Sequence, residues 1–233
     1  MTALGRVMSL YPTMILAMVG GVVFWFGYRP SLLQPALLIA IIYLLPPLTF
    51  RLHQIFFPVR ERVSDLAERC YSPWWGAHQI QVIYIALPQL EAILRLVPGL
   101  YSLWLRLWGS KVGRNVHWTP NVEITDRSML IIGDRVVFGH KTKCLGHAIK
   151  PRGKSMLLYV RAIRIGNDVF IGAGSRIGPG VVINDGVYLP ILTDLYVNQK
   201  VDAQKVDAQT VEPRKVEIQK VELDNAANNS LAD

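Results

Sequence analysis

A six-residue repeat constrains the fold of this chain more than any other feature. From residue 165 onward an aliphatic residue recurs at every sixth position: Ile165, Ile171, Ile177, Ile183, Leu189 and Leu195. The fourth position after each is small or β-branched: Val169, Ser175, Val181, Val187 and Thr193. A period of six matches neither the 3.6-residue helix nor the two-residue strand. It matches stacked coils with flat sides, in which each side contributes one inward residue and each corner is narrow.

The same frame extends upstream with two interruptions. It runs from Val112 to Ser128, restarts after a shift of two residues at Ile132, and stops after Ala148. It resumes at Ile165, which leaves residues 149–164 as an excursion from the repeat. Glycine follows several of the inward residues and lets the corner backbone take conformations that a Cβ would hinder. The repeat therefore predicts a parallel β-helix over residues 111–196.

Two stretches inside the repeat resemble the hexapeptide-repeat acyltransferase superfamily, which includes galactoside, xenobiotic and polysaccharide O-acetyltransferases. They are IRIGNDVFIGAGSRIGPGVV, which starts at Ile163, and CLGH at residues 144–147. The resemblance implies a left-handed coil, a homotrimer with active sites between subunits, and acetyl-CoA or another acyl-CoA as co-substrate. It covers roughly residues 109–195.

The resemblance also implies site residues. His147 occupies the place of the histidine that serves these enzymes as general base, just before the chain leaves the coil; the alternative is a corner cap. His140 either orients substrate or faces solvent. Lys150 and Arg152 lie in the excursion, where cations could meet coenzyme A phosphates or an anionic lipid surface. The pantetheine arm would contact the corner Gly172, Ala173, Gly174 and Ser175, although any coil corner requires small residues there.

The C-terminal part departs from the family pattern. The hexads end near Leu195, and the AGNPAK-type end that closes the cofactor site in the family does not follow. Instead a five-residue repeat begins, with Val201, Val206, Val211, Val216 and Val221 in register. Because period five matches no regular element and the composition is polar, residues 197–233 are predicted to be a disordered tail.

Two uncharged runs near the N-terminus predict a membrane hairpin over residues 1–52. They span 10–28 and 31–50, each near the roughly 20 residues that a transmembrane helix needs. Pro35, Pro46 and Pro47 leave a re-entrant hairpin as the alternative. The flanking cations favour cytoplasmic ends. The expected location is the inner (cytoplasmic) membrane, with the catalytic domain in the cytoplasm and the lipid bilayer as a partner.

Residues 53–110 are predicted to be helical, with a short amphipathic helix in RERVSDLAERC and a longer one interrupted by prolines. Trp74, Trp75, Trp104 and Trp108 suit either a membrane interface or a helical layer packed on the next domain. The fold class is thus mainly β, a left-handed parallel β-helix preceded by an α-helical membrane-anchoring region.

The function expected is acyl transfer from acyl-CoA to a hydroxyl or amine of a sugar, lipid-linked glycan, lipid or peptide. One alternative is a noncatalytic membrane-tethered scaffold. Another is a γ-type carbonic anhydrase-like metal site that uses His117, His140 and His147, but their spacing does not match, so no metal is expected. Cys70 and Cys144 suggest neither a disulfide framework nor a zinc site. The net charge of +8 comes from scattered cations without a nucleic-acid-binding module, so no nucleic-acid partner is expected.

Overall fold

The computed structural model describes residues 2–68, 70–203 and 217–219, and its short strands stack into three parallel ladders. Side 1 contains β2 (Lys111–Val112), β5 (Leu130–Ile132), β10 (Ile163–Ile165), β13 (Val182–Ile183) and β16 (Lys200–Asp202). Side 2 contains β3 (His117–Trp118), β6 (Val137–Phe138), β11 (Phe170–Ile171) and β14 (Tyr188–Leu189). Side 3 contains β4 (Glu123–Ile124), β7 (Lys143–Cys144), β12 (Arg176–Ile177) and β15 (Asp194–Leu195). The three sides form the predicted left-handed parallel β-helix, which confirms the fold class.

The strand register explains both interruptions of the repeat. In a regular coil Arg164 pairs with Val182, 18 positions on, which is three six-residue units. In the first coil Lys111 pairs with Ile131, 20 positions on, and in the second Lys143 pairs with Arg176, 33 positions on. The extra residues follow β4 in the first coil and β7 in the second. Both therefore leave the coil at the same corner, between side 3 and side 1.

The coil interior is filled by the inward residues that the repeat identified. Ile171, Ile177, Val181 and Leu189 are each 0% exposed. Glycine after an inward residue is required by the close approach of coils. A Cβ on Gly172 would lie 2.4 Å from the backbone of the next coil. The left-handed backbone conformation lies two positions further on, at Gly174 with φ +73°.

The N-terminal hairpin consists of nearly continuous helix. It contains α1 (Ala3–Ser9), α2 (Tyr11–Tyr28), α3 (Leu33–Ile39), a π-helical turn (Ala40–Leu44) and α4 (Leu45–Phe56). The stretches Ala3–Tyr28 and Leu33–Phe56 are long and apolar enough to cross a membrane, judged by length and composition alone. Pro46 and Pro47 follow the π-helical turn directly, and the carbonyls four residues before them, of Ile42 and Tyr43, accept hydrogen bonds from Tyr84 Oη and Trp104 Nε1 instead.

Three further helices lie between the hairpin and the first coil: α5 (Pro73–Ala86), α6 (Gln89–Arg95) and α7 (Leu100–Trp108). Trp104 Nε1 donates to the carbonyl of Tyr43, 3.0 Å away, so this layer packs on the second hairpin helix. On its other side, Trp118 Nε1 of the first coil donates to Ser102 Oγ at 2.9 Å. Trp104 and Trp108 are buried in this packing, with 3% and 0% of their surface exposed.

Two predictions along the chain differ from the structure. The segment RERVSDLAERC contains β1 (Arg62–Asp65) instead of a helix. β1 pairs with β9 (Ser155–Val160), which forms a hairpin with β8 (His147–Arg152), so the excursion supplies the partner that makes this segment extended. In addition, β16 continues side 1 beyond residue 196, where the tail was predicted to begin. β17 (Glu217–Gln219) pairs with β16, and the rest of the predicted tail lies outside the described residues.

Candidate active site

The corner between side 3 and side 1 brings the two interruptions of the repeat together. Asp126 lies in the first interruption, and His147 opens the hairpin that forms the second. A Cβ on Gly146 would lie 2.8 Å from the Cβ of Asp126. Glycine at position 146 therefore permits the close stacking that sets Asp126 against His147.

His147 and the buried Asp126 form a hydrogen-bonded pair. The distance from His147 Nδ1 to Asp126 Oδ2 is 2.7 Å, and the side chains are 17% and 3% exposed. Burial raises the pKa of Asp126, but the hydrogen bonds from His147 and Thr125 outweigh burial and hold that pKa below its usual value. An ionised carboxylate only accepts hydrogen bonds, so the proton shared between the two groups is carried by Nδ1 of His147. Nε2 is then the basic nitrogen, with the ring orientation fixed by Asp126.

Helix α5 covers this pair with two aromatic side chains. Trp74 Nε1 donates to Asp126 Oδ1 at 3.1 Å, and its ring centroid lies 4.5 Å from that of His147. His78, one turn further along α5, stacks on Trp74 and lies 5.3 Å from His147, centroid to centroid. Burial lowers the pKa of His78, so this second imidazole is neutral at pH 7. The site is therefore built from both the helical layer and the coil.

The cluster offers three metal-ligating groups, since ligand atoms of His78, Asp126 and His147 lie within 4.8 Å of one another. The carboxylate is already engaged, however: Asp126 Oδ2 accepts from Thr125 and His147, and Oδ1 accepts from Trp74. This arrangement suits an oriented imidazole better than an open metal site. Within the described part of the chain, His147 is joined in this cluster by His78 and not by the His117 and His140 of the carbonic anhydrase alternative.

A buried ion pair fixes the residue next to Asp126. Arg127 is 0% exposed, and it donates from Nε and Nη2 to the two carboxylate oxygens of Glu91 on α6, at 2.9 and 3.0 Å. Its backbone N–H donates to Gln81 Oε1 on α5 at 2.7 Å. The helical layer thus holds the corner that carries Asp126.

The predicted cofactor corner lies elsewhere on the same chain. Gly172, Ala173, Gly174 and Ser175 connect side 2 to side 3, one flat side of the coil away from His147. Gly174 N donates to the carbonyl of His140, which stacks below this corner and whose side chain is exposed. Ser175 Oγ is buried and donates to the carbonyl of Gly172 at 2.7 Å, so it stabilises the corner. One copy of the chain does not bring this corner to His147.

The remaining predicted residues flank the corner of His147. Lys150 and Arg152 are exposed on β8, the strand that begins at His147. Cys144 precedes it, but its thiol faces the coil interior, where burial raises its pKa to about 12. A thiolate nucleophile is therefore excluded at this position.

Asp126 and His78 were not predicted from the sequence. The two-residue shift of the repeat was a signal for Asp126, because an insertion at a corner pushes side chains out of the hexad pattern. His78 lies on an apolar helix with no such irregularity, and only the packing of α5 on the corner reveals its role.

Comparison with protein families agrees with the repeat. Residues 162–190 match the family model described as bacterial transferase hexapeptide (six repeats). This match confirms the resemblance drawn from the motifs. No curated protein matches the chain.

Solved structures with partial likeness are acetyltransferases. One is a hexapeptide-repeat-containing acetyltransferase from Vibrio cholerae O1 biovar eltor complexed with acetyl coenzyme A. It is 17% identical to this chain with a TM-score of 0.36, and the alignment covers 50% of this chain and 82% of that one. A galactoside acetyltransferase in complex with coenzyme A has 17% identity and a TM-score of 0.30 over 51% and 77% of the chains. Soybean serine acetyltransferase has 15% identity and a TM-score of 0.21 over 93% and 85%. By the family-model match, residues 162–190 are a hexapeptide repeat of the bacterial transferase kind.

Proposed function

We propose that this protein is a membrane-anchored acyltransferase that moves an acyl group, such as acetyl, from acyl-CoA to a hydroxyl or amine. The acceptor class is a sugar, a lipid-linked glycan, a lipid or a peptide. The observation that carries the proposal is the pair His147–Asp126, set at the corner where the chain leaves a hexapeptide-repeat coil.

The chemistry follows from the free nitrogen of His147. As the acceptor oxygen or nitrogen attacks the thioester carbonyl, Nε2 takes its proton, and the ionised Asp126 stabilises the imidazolium. Collapse of the tetrahedral intermediate breaks the carbon–sulfur bond, and the proton passes from His147 to the leaving thiolate to give coenzyme A. No covalent acyl-enzyme is required.

The cofactor would be held by two copies of the chain. The corner 172–175 of one copy would face His147 of its neighbour in a homotrimer, and the pantetheine arm would lie between them. Lys150 and Arg152 lie three and five residues along the strand that begins at His147, about 10 and 17 Å away at strand spacing. Their cations could reach the phosphates of coenzyme A.

The N-terminal hairpin supports a location at the inner membrane, with the coil on the cytoplasmic side. α2 exposes large apolar side chains, for example Phe24 at 75%. A lipid bilayer would cover such a surface, because apolar side chains are more stable in hydrocarbon than in water. Anchoring places His147 near acceptors that are borne by lipid.

The test uses the full chain reconstituted in lipid together with bacterial membrane extract as the source of acceptors. Radiolabelled acetyl-CoA is added, and transfer of the label to lipid-soluble and glycan fractions is measured. His147→Ala should reduce transfer roughly 10²–10⁴-fold, the usual contribution of general acid–base catalysis. His117→Ala, at an exposed histidine outside both the pair and the corner 172–175, is the matched control and should retain transfer. Equal transfer by wild type and His147→Ala would refute the assignment.

A further inference from the structure

A second concave site lies at a different corner of the coil from the His147 cluster, where residues 113–116 connect side 1 to side 2. It is a cavity of about 500 Å³ between the turn that joins α6 to α7 and the first coil. Three arginines and one histidine line it: Arg95, Arg106, Arg114 and His117. Within the described residues, no Asp or Glu belongs to this lining. We call this space the arginine cavity.

The nearest carboxylates are already occupied. Glu91 accepts both nitrogens of Arg127 and the hydroxyl of Tyr101, and its closest approach to Arg95 is 3.8 Å. Asp134 Oδ1 accepts the backbone N–H of Arg114 at 2.6 Å. Among the described residues, no ion pair neutralises Arg106 or Arg114. Arg95 shares Glu91 with Arg127 and is partly neutralised, so the positive charge of the arginine cavity comes mainly from Arg106 and Arg114.

Arg95 and Arg106 each use some of their guanidinium nitrogens to anchor the helical layer to the first coil. Arg106 donates to the carbonyls of Val112 and Gly113, and Arg95 Nη1 donates to that of Pro120 at 2.7 Å. The Arg95 side chain is only 1% exposed, yet its Nε and Nη2 have no hydrogen-bond partner in the structure. Both nitrogens are closed to solvent and Nη2 faces Glu91, so the donors open to an anionic ligand are those of Arg106 and Arg114, whose side chains are exposed.

The rim of the arginine cavity is apolar. Val97, Pro98 and Gly99 form its wall at the α6–α7 turn. Val97 is 53% exposed, Leu96 beside it is 73% exposed, and Leu103 on α7 is 52% exposed. The same helical layer packs against the apolar hairpin, since Trp104 Nε1 donates to the carbonyl of Tyr43.

We propose that the arginine cavity binds the phosphate head group of an anionic membrane lipid, whose acyl chains lie along Leu96 and Val97. A cluster of arginines recognises phosphate oxygens through charge-assisted hydrogen bonds. The apolar rim selects a phosphate that carries hydrocarbon over a soluble one. The site is separate from the His147 cluster, so the proposal does not depend on acyl transfer.

The test measures lipid binding to the full chain purified in neutral detergent, by native mass spectrometry and by titration with phosphatidic acid. Arg114→Gln should weaken phosphatidic acid binding about tenfold, the effect of losing one charge-assisted hydrogen bond. Arg176→Gln removes the same charge from another part of the coil and should leave binding unchanged. The Arg114 side chain makes no hydrogen bond within the described residues, so its replacement should not affect folding.

A second pair of variants tests the apolar rim. Leu96→Gln should weaken phosphatidic acid binding severalfold, whereas Leu192→Gln, equally exposed at 74% on a distant corner, should not. Diacylglycerol, inorganic phosphate and acetyl-CoA serve as competitors, and none should displace the lipid. Displacement by diacylglycerol would show that the site does not recognise the phosphate charge. Displacement by phosphate or acetyl-CoA would show that the site binds soluble anions instead of a lipid. Unchanged binding by Arg114→Gln would likewise overturn the proposal.

Discussion

Replacing Glu91 by Gln should destabilise the protein far more than replacing Glu123, although both carboxylates lie 2.9 Å from their cationic partners. The two ion pairs differ in burial. Arg127 and Glu91 have side chains 1% and 3% exposed, whereas Lys143 and Glu123 are 45% and 52% exposed. Burial lowers the pKa of Arg127, but the Glu91 carboxylate outweighs burial and raises that pKa above its ordinary value. Arg127 therefore stays charged. Glu91→Gln therefore leaves a buried guanidinium without a counter-ion.

The expected loss is about 3–5 kcal/mol for Glu91→Gln, and under about 1 kcal/mol for Glu123→Gln, whose solvent-exposed pair is screened by water. For a chain of this size the larger figure corresponds to a melting temperature lower by roughly 6–20 °C. The assay is thermal and chemical unfolding of the full chain in detergent, followed by tryptophan fluorescence. A double variant, Glu91→Leu with Arg127→Met, should recover only part of the loss, because Arg127 no longer carries a buried charge but Arg95, 3.8 Å from Glu91 and 1% exposed, still does. Equal destabilisation by the two glutamine variants would refute this reasoning.

Two further predictions concern acid stability and coil stacking. Because burial lowers the pKa of His78 from its usual 6.5, the unfolded chain binds a proton there before the folded chain does as the pH falls. Stability should therefore be lost progressively below about pH 6.5, and His78→Phe should weaken that dependence in unfolding measured from pH 7.5 to 5; an unchanged slope would contradict it. Gly172→Ala should cost roughly 1–3 kcal/mol or more because its Cβ would meet the backbone of the next coil. Gly21→Ala, with no atom within 4 Å, should cost nothing, and comparable losses in the same unfolding assay would contradict the packing argument.

The repeat was enough to predict the coil because its period is a local property of the chain. Each inward residue from Ile165 to Leu195 was identifiable from spacing alone, and the structure buries them. The segment at Arg62–Asp65 could not be assigned in this way. It is extended because β9 of the excursion pairs with it, and a partner almost a hundred residues away leaves no local pattern.

The candidate site was predicted only in part for a similar reason. His147 could be placed from the motif and from the interruption that follows it. Its hydrogen bond to Asp126 depends on the stacking of two coils, and its contact with His78 depends on how α5 packs on the corner. Such partners are set by tertiary structure, and the irregular spacing after Ile124 was their only trace in the sequence.

The central claim is that Asp126 holds His147 as the base of an acyl transfer, and Asp126→Asn tests it most directly. Asparagine keeps the shape of the side chain but loses the charge that fixes the Nδ1–H tautomer and stabilises the imidazolium. The measurement is the rate of coenzyme A release from acetyl-CoA by the reconstituted full chain with membrane extract, alongside the melting temperature. We expect a rate lower by roughly 10²–10⁴-fold in a variant that remains folded. A folded Asp126→Asn variant that releases coenzyme A at the wild-type rate would contradict the account.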